Sequence, residues 1–194
     1  MYPRGSPMPI TKTITLYKFD ELSEEAQKFA ISNLYDWCCT NHINADHDWS
    51  DPIYEDAKTI GLKIEEFHLE HKKINGALTE YLLDCCRSIR HNHGKDSDTF
   101  NTAHQYLQEY IQAFVKWKEE NKDDDNKDWK PADWLYEFKY TDEADEITNE
   151  FRKALLQDYL IMLDKEYDYL TSEEAIKQSM EANECLFHED GTLE

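Results

Sequence analysis

DEADEITNEFRKALLQDYLIMLDKEYDYL, Asp142–Leu170, contains neither Gly nor Pro. Ile147, Phe151, Ala154, Leu155, Tyr159, Met162, Leu163, Glu166 and Leu170 recur at intervals of three and four, the period of a helix. Leu160 and Ile161 widen the apolar arc, which predicts contact with neighbours on more than one side. At 1.5 Å per residue the helix would run roughly 42 Å, about the width of a domain of this length. It is the expected core helix, and the other segments are read as packing around it.

Moving outward, 10–19 alternates β-branched and polar residues and predicts a strand. Ser23 can cap a following helix, with Glu24 and Glu25 in its first turn. Its buried stripe would be Ala26, Phe29, Ala30, Leu34, Trp37 and Cys38. A short helix is expected over 53–60, closed by Gly61, and then a strand over 62–69. Asn75-Gly76 is a turn signal, so a hairpin with a short second arm is expected. Helices follow over 77–91 and 99–121. The charged run 122–130 reads as a loop and as the candidate internal boundary. Pro131 opens a short aromatic segment. Thr171-Ser172-Glu173-Glu174 reads as a capping box in which Thr171 accepts from the Glu174 amide. Cys185-Leu186-Phe187 is a candidate short strand. The predicted fold is α+β, predominantly helical, with one long central helix and a minor sheet from 10–19, 62–69 and 185–187. Residues 1–9 read as a flexible tail and 10–194 as one mostly helical domain.

Composition narrows the function classes. Five Gly and five Pro in 194 residues leave few tight turns, which favours helices over a many-stranded fold. Asp and Glu number 42 against 21 Lys and Arg, a net charge of −21, so the chain as a whole repels nucleic acid and anionic lipid. It suits docking on a basic protein surface. The five cysteines fall as Cys38-Cys39, Cys85-Cys86 and Cys185, without a disulfide spacing, which fits a reducing cytoplasm. The first twenty residues lack an apolar core segment, so neither a secretory leader nor a membrane span is expected.

Catalytic motifs are sparse. There is no C-x-x-C, and adjacent cysteines on a helix point about 100° apart, which disfavours a shared ion. Cys38 with His42, and His91 with His93, could each supply two ligands, while helix-lining cysteines also serve as small buried apolar residues. Asp124, Asn126 and Asp128 mimic the start of a calcium loop, but Trp129 stands where the loop needs Gly and Leu135 where it needs Glu. No G-x-S-x-G, phosphate loop or dinucleotide fingerprint occurs. His47 between Asp46 and Asp48 could be oriented by a carboxylate, and a polar turn explains it equally well. The reading is therefore of a protein that is not an enzyme and takes no cofactor or metal.

The acids are the remaining signal. Residues 119–128 carry six acids against two lysines, and 137–150 carry six against Lys139. Duplex DNA bears one charge per ~1.7 Å of axis, so the net charge matches roughly 36 Å of duplex, close to the expected helix length. Carboxylates on a rigid helix could stand in for phosphates and accept bidentate arginine contacts from a partner. Asp123, Asp124, Asp125, Asp128, Asp142, Glu143, Asp145 and Glu146 are the candidate partner-binding acids. Trp129, with Trp134, Tyr136 and Tyr140, would anchor the complex.

Residues 16–27, LYKFDELSEEAQ, resemble the opening of a family of small uncharacterised bacteriophage and prophage proteins. Tyr54-Glu55-Asp56-Ala57 with Ile60-Gly61-Leu62-Lys63-Ile64 resembles a second block of that family. Residues 167–176, with 181–184 and 187–191, are similar to its ending. Residues 77–130 have no counterpart. The resemblance implies phage origin, expression in the host bacterial cytoplasm and an accessory or counter-defence role; it supplies no catalytic residues. Together with the acids it gives the expected function: inhibition of a host defence complex, a CRISPR effector or restriction nuclease, by binding its basic nucleic-acid surface. No direct contact with nucleic acid or membrane is needed. The alternative is an antitoxin-like or assembly module that binds through aromatic and apolar surface.

Overall fold

The computed structural model describes residues 13–37, 48–123, 126 and 128–194. Its helices are α1 (Glu24–Trp37), α2 (Asp51–Thr59), α3 (Leu82–Asn92), α4 (Asp98–Glu120), α5 (Pro131–Phe138), α6 (Asp142–Leu170) and α7 (Glu173–Ala182), with strands β1 (Leu62–His68) and β2 (Lys73–Leu78) between α2 and α3. The fold is α+β and dominated by helices. No helix among the described residues is long and apolar enough to cross a membrane. The chain divides into two compact units, one of 1–47 with 168–194 and one of 48–167. The charged run 122–130 lies inside the second.

The second unit is built on α6. Thr141 starts this helix: its hydroxyl accepts from the Ala144 amide at 3.2 Å and donates to the Phe138 carbonyl at 2.8 Å. Ala144, Phe151, Leu155, Leu156 and Tyr159 then face a core completed by Leu62, Ile64, Leu82, Cys85, Cys86, Ile89, Ala103, Tyr110 and Phe138. The ring of Phe138 is met by Tyr110 at 5.1 Å and by Phe114 and Trp117 at 5.6 Å each. Of the two residues expected to widen the apolar arc, Leu160 is 2% exposed and Ile161 37%, so the widening goes one way only.

β1 and β2 pair antiparallel from Leu62–Leu78 to His68–Lys73, with an irregularity between Ile64 and Glu66. Their turn lies at 69–72, where Lys72 adopts φ 47° and its amide donates to the Leu69 carbonyl at 3.1 Å. Asn75-Gly76, expected as the turn, sits inside β2 instead. Gly76 serves close packing there: a Cβ would lie 2.3 Å from the Lys63 carbonyl and 3.0 Å from Leu156. The expected helix over 77–91 accordingly starts later, at Leu82.

The first unit pairs α1 with α7. Ser23 caps α1, its hydroxyl accepting from the Ala26 amide at 3.3 Å. Leu22, Ala26, Ala30 and Leu34, four apart on one stripe, meet Ile176, Met180 and Phe187. Phe29, assigned to that stripe from its spacing, is 47% exposed. Trp37's side chain and Cys38 lie outside the described residues. The cap of α7 is Ser172 rather than Thr171, accepting from the Ala175 amide at 3.2 Å.

Within the described residues, the expected strands at 10–19 and 185–187 are reduced to isolated bridges. Residues 10–12 lie outside the described region, and 13–19 contribute a single bridge, Tyr17 with Phe187, which also bridges Leu193. β-branched residues supply strand propensity, but without a partner edge of several residues they form no ladder.

Candidate functional site

The acids at the start of α6 are exposed: Asp142, Glu143, Asp145 and Glu146. At 100° per residue these four spread over about 160° of the helix circumference, while Ala144 among them is 1% exposed and faces the core. Among the described residues, none of the four forms an ion pair.

Asp128 is likewise exposed, and Asp123 is exposed within a reciprocal turn. The Asn126 amide donates to Asp123 Oδ1 at 3.1 Å, and the Asp123 amide donates to Asn126 Oδ1 at 3.0 Å. Asn126 also donates to the Asn121 carbonyl at 2.7 Å, so it organises the loop. Asp124 and Asp125 lie outside the described residues. Trp129 is 38% exposed and meets the Trp134 ring at 5.0 Å. Trp134, expected on the surface, is 3% exposed, between Trp129 and Trp117. The Asp128–Trp129 group and the Asp142–Glu146 group stand at opposite ends of α5, a helix about 12 Å long at 1.5 Å per residue.

Tyr136 and Tyr140 belong to a cluster that spacing alone left incomplete. Lys139 Nζ lies 4.3 Å from the ring centre of Tyr81 and 4.6 Å from those of Tyr136 and Tyr140. It also donates to the Tyr81 hydroxyl at 3.2 Å. The three tyrosines are 60%, 55% and 61% exposed, so the ammonium holds rings that no core supports. Hydrogen bonding to Tyr140, then to Tyr81, raises the Lys139 pKa, and the same contact lowers that of Tyr140. Tyr136, Lys139 and Tyr140 stand at i, i+3 and i+4, a spacing legible in the sequence. Tyr81 arrives from the N-cap of α3, and no local pattern announces it.

The histidines divide differently. His42 and His47 lie outside the described residues, and His91 is exposed. His93 belongs to a partly buried polar chain that joins four helices. Tyr159 donates to Asp56 Oδ2 at 2.7 Å, Asp56 Oδ1 lies 3.4 Å from His93 Nε2, and His93 Nδ1 lies 2.7 Å from the Thr99 hydroxyl. The order Thr–His–Asp is that of a nucleophile relay. Thr99 is 3% exposed at the start of α4, so its hydroxyl is covered in this structure. The chain ties α2, α3, α4 and α6 together. Burial, then the Asp56 contact, pushes the Tyr159 phenol up, so it stays a donor.

Cys85 and Cys86 are 1% exposed, and burial pushes their thiols up to about 11 and about 12. Protonated at neutral pH, they pack as small apolar residues rather than as nucleophiles. Among the described residues, no three His, Cys, Asp or Glu side chains are grouped to hold a metal ion.

No protein-family model, curated protein or solved structure matches the chain.

Proposed function

We propose that this protein is a phage-encoded counter-defence inhibitor that binds the basic, nucleic-acid-holding surface of a host defence complex, a CRISPR effector or restriction nuclease. The observation that carries the reading is the junction of α5 and α6. There Asp142, Glu143, Asp145 and Glu146 project from α6 without ion-pair partners among the described residues, directly after the exposed tyrosines around Lys139. The carboxylates supply acceptors for arginine forks at phosphate-like positions, and the tyrosines supply contact area at low entropic cost. Asp123, Asp128 and Trp129 extend the same chemistry along α5. The reaction asks nothing of catalysis: the inhibitor occupies a site and excludes DNA.

Competition binding tests this. A DNA-loaded defence nuclease should release its duplex as the protein is added, with an apparent affinity that falls steeply as salt rises. Replacing the four α6 acids with Asn should weaken binding about tenfold or more, if each exposed pair contributes a few tenths of a kcal/mol up to about 1 kcal/mol. Binding that ignores salt and survives the four Asn substitutions overturns the mimicry.

That result would favour a second reading, an antitoxin-like or assembly module that docks through Tyr81, Tyr136 and Tyr140. Their exposure motivates it. Replacing the three tyrosines with Ala would then abolish binding while the acids remain dispensable.

A further inference from the structure

Against a net charge of −21, one cleft of the second unit gathers positive charge. It lies between the turn of the β1–β2 hairpin and the outer face of α6 and encloses about 660 Å³, within the size range of small-molecule sites. Lys72, Lys73, Arg152, Lys153, His68 and His71 line it, with Ile74 and Leu156 as an apolar wall and Glu66 as the lone acid of the lining.

The cations are not equivalent. Lys72 pairs with Asp164 and Lys153 with Glu150, so two of the four are neutralised across the rim. Lys73 and Arg152 form no ion pair among the described residues. Arg152 is fixed all the same: its Nη1 donates to the Gly76 carbonyl at 3.0 Å, and the other nitrogens of the fork remain for a ligand. Gly76 is closely packed, with no room for a Cβ beside Lys63 and Leu156. Two cations without ion pairs among the described residues, one from the hairpin and one from α6, thus line one cleft. The acids elsewhere do not cancel them, because at physiological ionic strength charges are screened beyond about 8 Å.

We infer that this cleft binds a phosphate-bearing small molecule, the phosphate held by Lys73 and the Arg152 fork and the organic part lying on Ile74 and Leu156. A planar guanidinium and a lysine ammonium are complementary to a phosphate dianion, the first bidentate and the second as a point charge. The inference stands apart from the acidic surface and needs no protein partner.

Calorimetric titration of the full chain at physiological ionic strength with AMP, inorganic pyrophosphate and adenosine tests it. AMP and pyrophosphate should bind and adenosine should not. AMP binding more tightly than pyrophosphate supports the apolar wall as part of the site; pyrophosphate binding as tightly as AMP, or more tightly, overturns the organic half of the assignment. Lys73→Glu removes an exposed side chain without an ion-pair partner, so the fold should stay intact by circular dichroism while AMP affinity falls about ten- to hundred-fold. Arg152→Lys, which keeps the charge and loses the fork, should weaken AMP several-fold. Lys58→Gln, outside the cleft, should change nothing. Adenosine binding as well as AMP, no heat from either phosphate compound at millimolar concentration, or unchanged affinity in Lys73→Glu overturns the assignment.

Discussion

The two units of this chain bury their cores in different ways. The core of 48–167 holds edge-on and tilted aromatic rings around Phe138, a Tyr159–Asp56–His93–Thr99 polar chain and residues from α2 through α6. The core made from the two ends of the chain rests on Leu22, Ala26, Ala30, Leu34, Ile176, Met180 and Phe187, with Phe19 edge-on to Phe187 at 6.3 Å. A core with many large neighbours can close partly around a missing side chain. A lean one, with two alanines and a single fully buried ring, has little left to close with.

Truncating the central ring of each core should give the largest effects. Phe138→Ala and Phe187→Ala should each cost about 3–5 kcal/mol, and native-state hydrogen exchange should locate the loss. Phe187→Ala should release the amides of α1 and α7 while those of α4 and α6 up to Tyr167 stay protected. Equal loss of protection in both sets would mean that the two cores unfold as one, and the contrast would fail.

Backbone contacts come next. Gly191→Ala places a Cβ 2.2 Å from the Ala26 carbonyl at φ 87°, and Gly76→Ala places one 2.3 Å from the Lys63 carbonyl. Each should destabilise by on the order of 2–3 kcal/mol. The first should loosen α1 and the second the hairpin, as read by amide exchange in each segment.

The polar chain should matter less than the rings around it. Tyr159→Phe removes the donor to Asp56, whose side chain is 39% exposed and can turn to water, so the cost should be about 1 kcal/mol. A chemical-denaturation midpoint lowered by several times that amount would show the chain to be the keystone of the larger core.

The smallest effect belongs to Asp158. Burial raises its pKa, partly offset by the Thr102 hydroxyl that donates to it at 2.7 Å. A carboxyl raised above its unfolded value opposes folding while ionised, and the penalty disappears as pH falls below its unfolded range. Asp158→Asn should therefore raise Tm by about 2 °C at neutral pH, with the gain shrinking toward pH 4. An unchanged or growing gain on acidification would contradict that sign.

Local signals located the helices well. Asp142–Leu170 matches its expected bounds, and Ser23 and Pro131 mark real starts, whereas the cap of α7 falls one residue past the expected Thr171. Helical period and caps are written in consecutive residues, so one sequence suffices to read them. The strands fared worse where pairing decided them. Residues 13–19 have the composition of a strand and form one bridge, whereas Asn75-Gly76 has the composition of a turn and lies in β2. A strand exists only through its partner, and the steric need for Gly76 comes from Lys63 and Leu156.

The candidate surface divides along the same line. Exposure of Asp142, Glu143, Asp145 and Glu146 follows from the helical period, which sends Ala144 inward and the acids out. Burial of Trp134, the arrival of Tyr81 beside Lys139, and the meeting of Lys73 with Arg152 do not, because each joins residues far apart in the chain. The sequence by itself determined a helical, strongly anionic protein and the extent of its longest helix, since period and charge are local properties. Only the tertiary structure decided which aromatics stay in water and where positive charge collects, since both depend on which distant segments pack together.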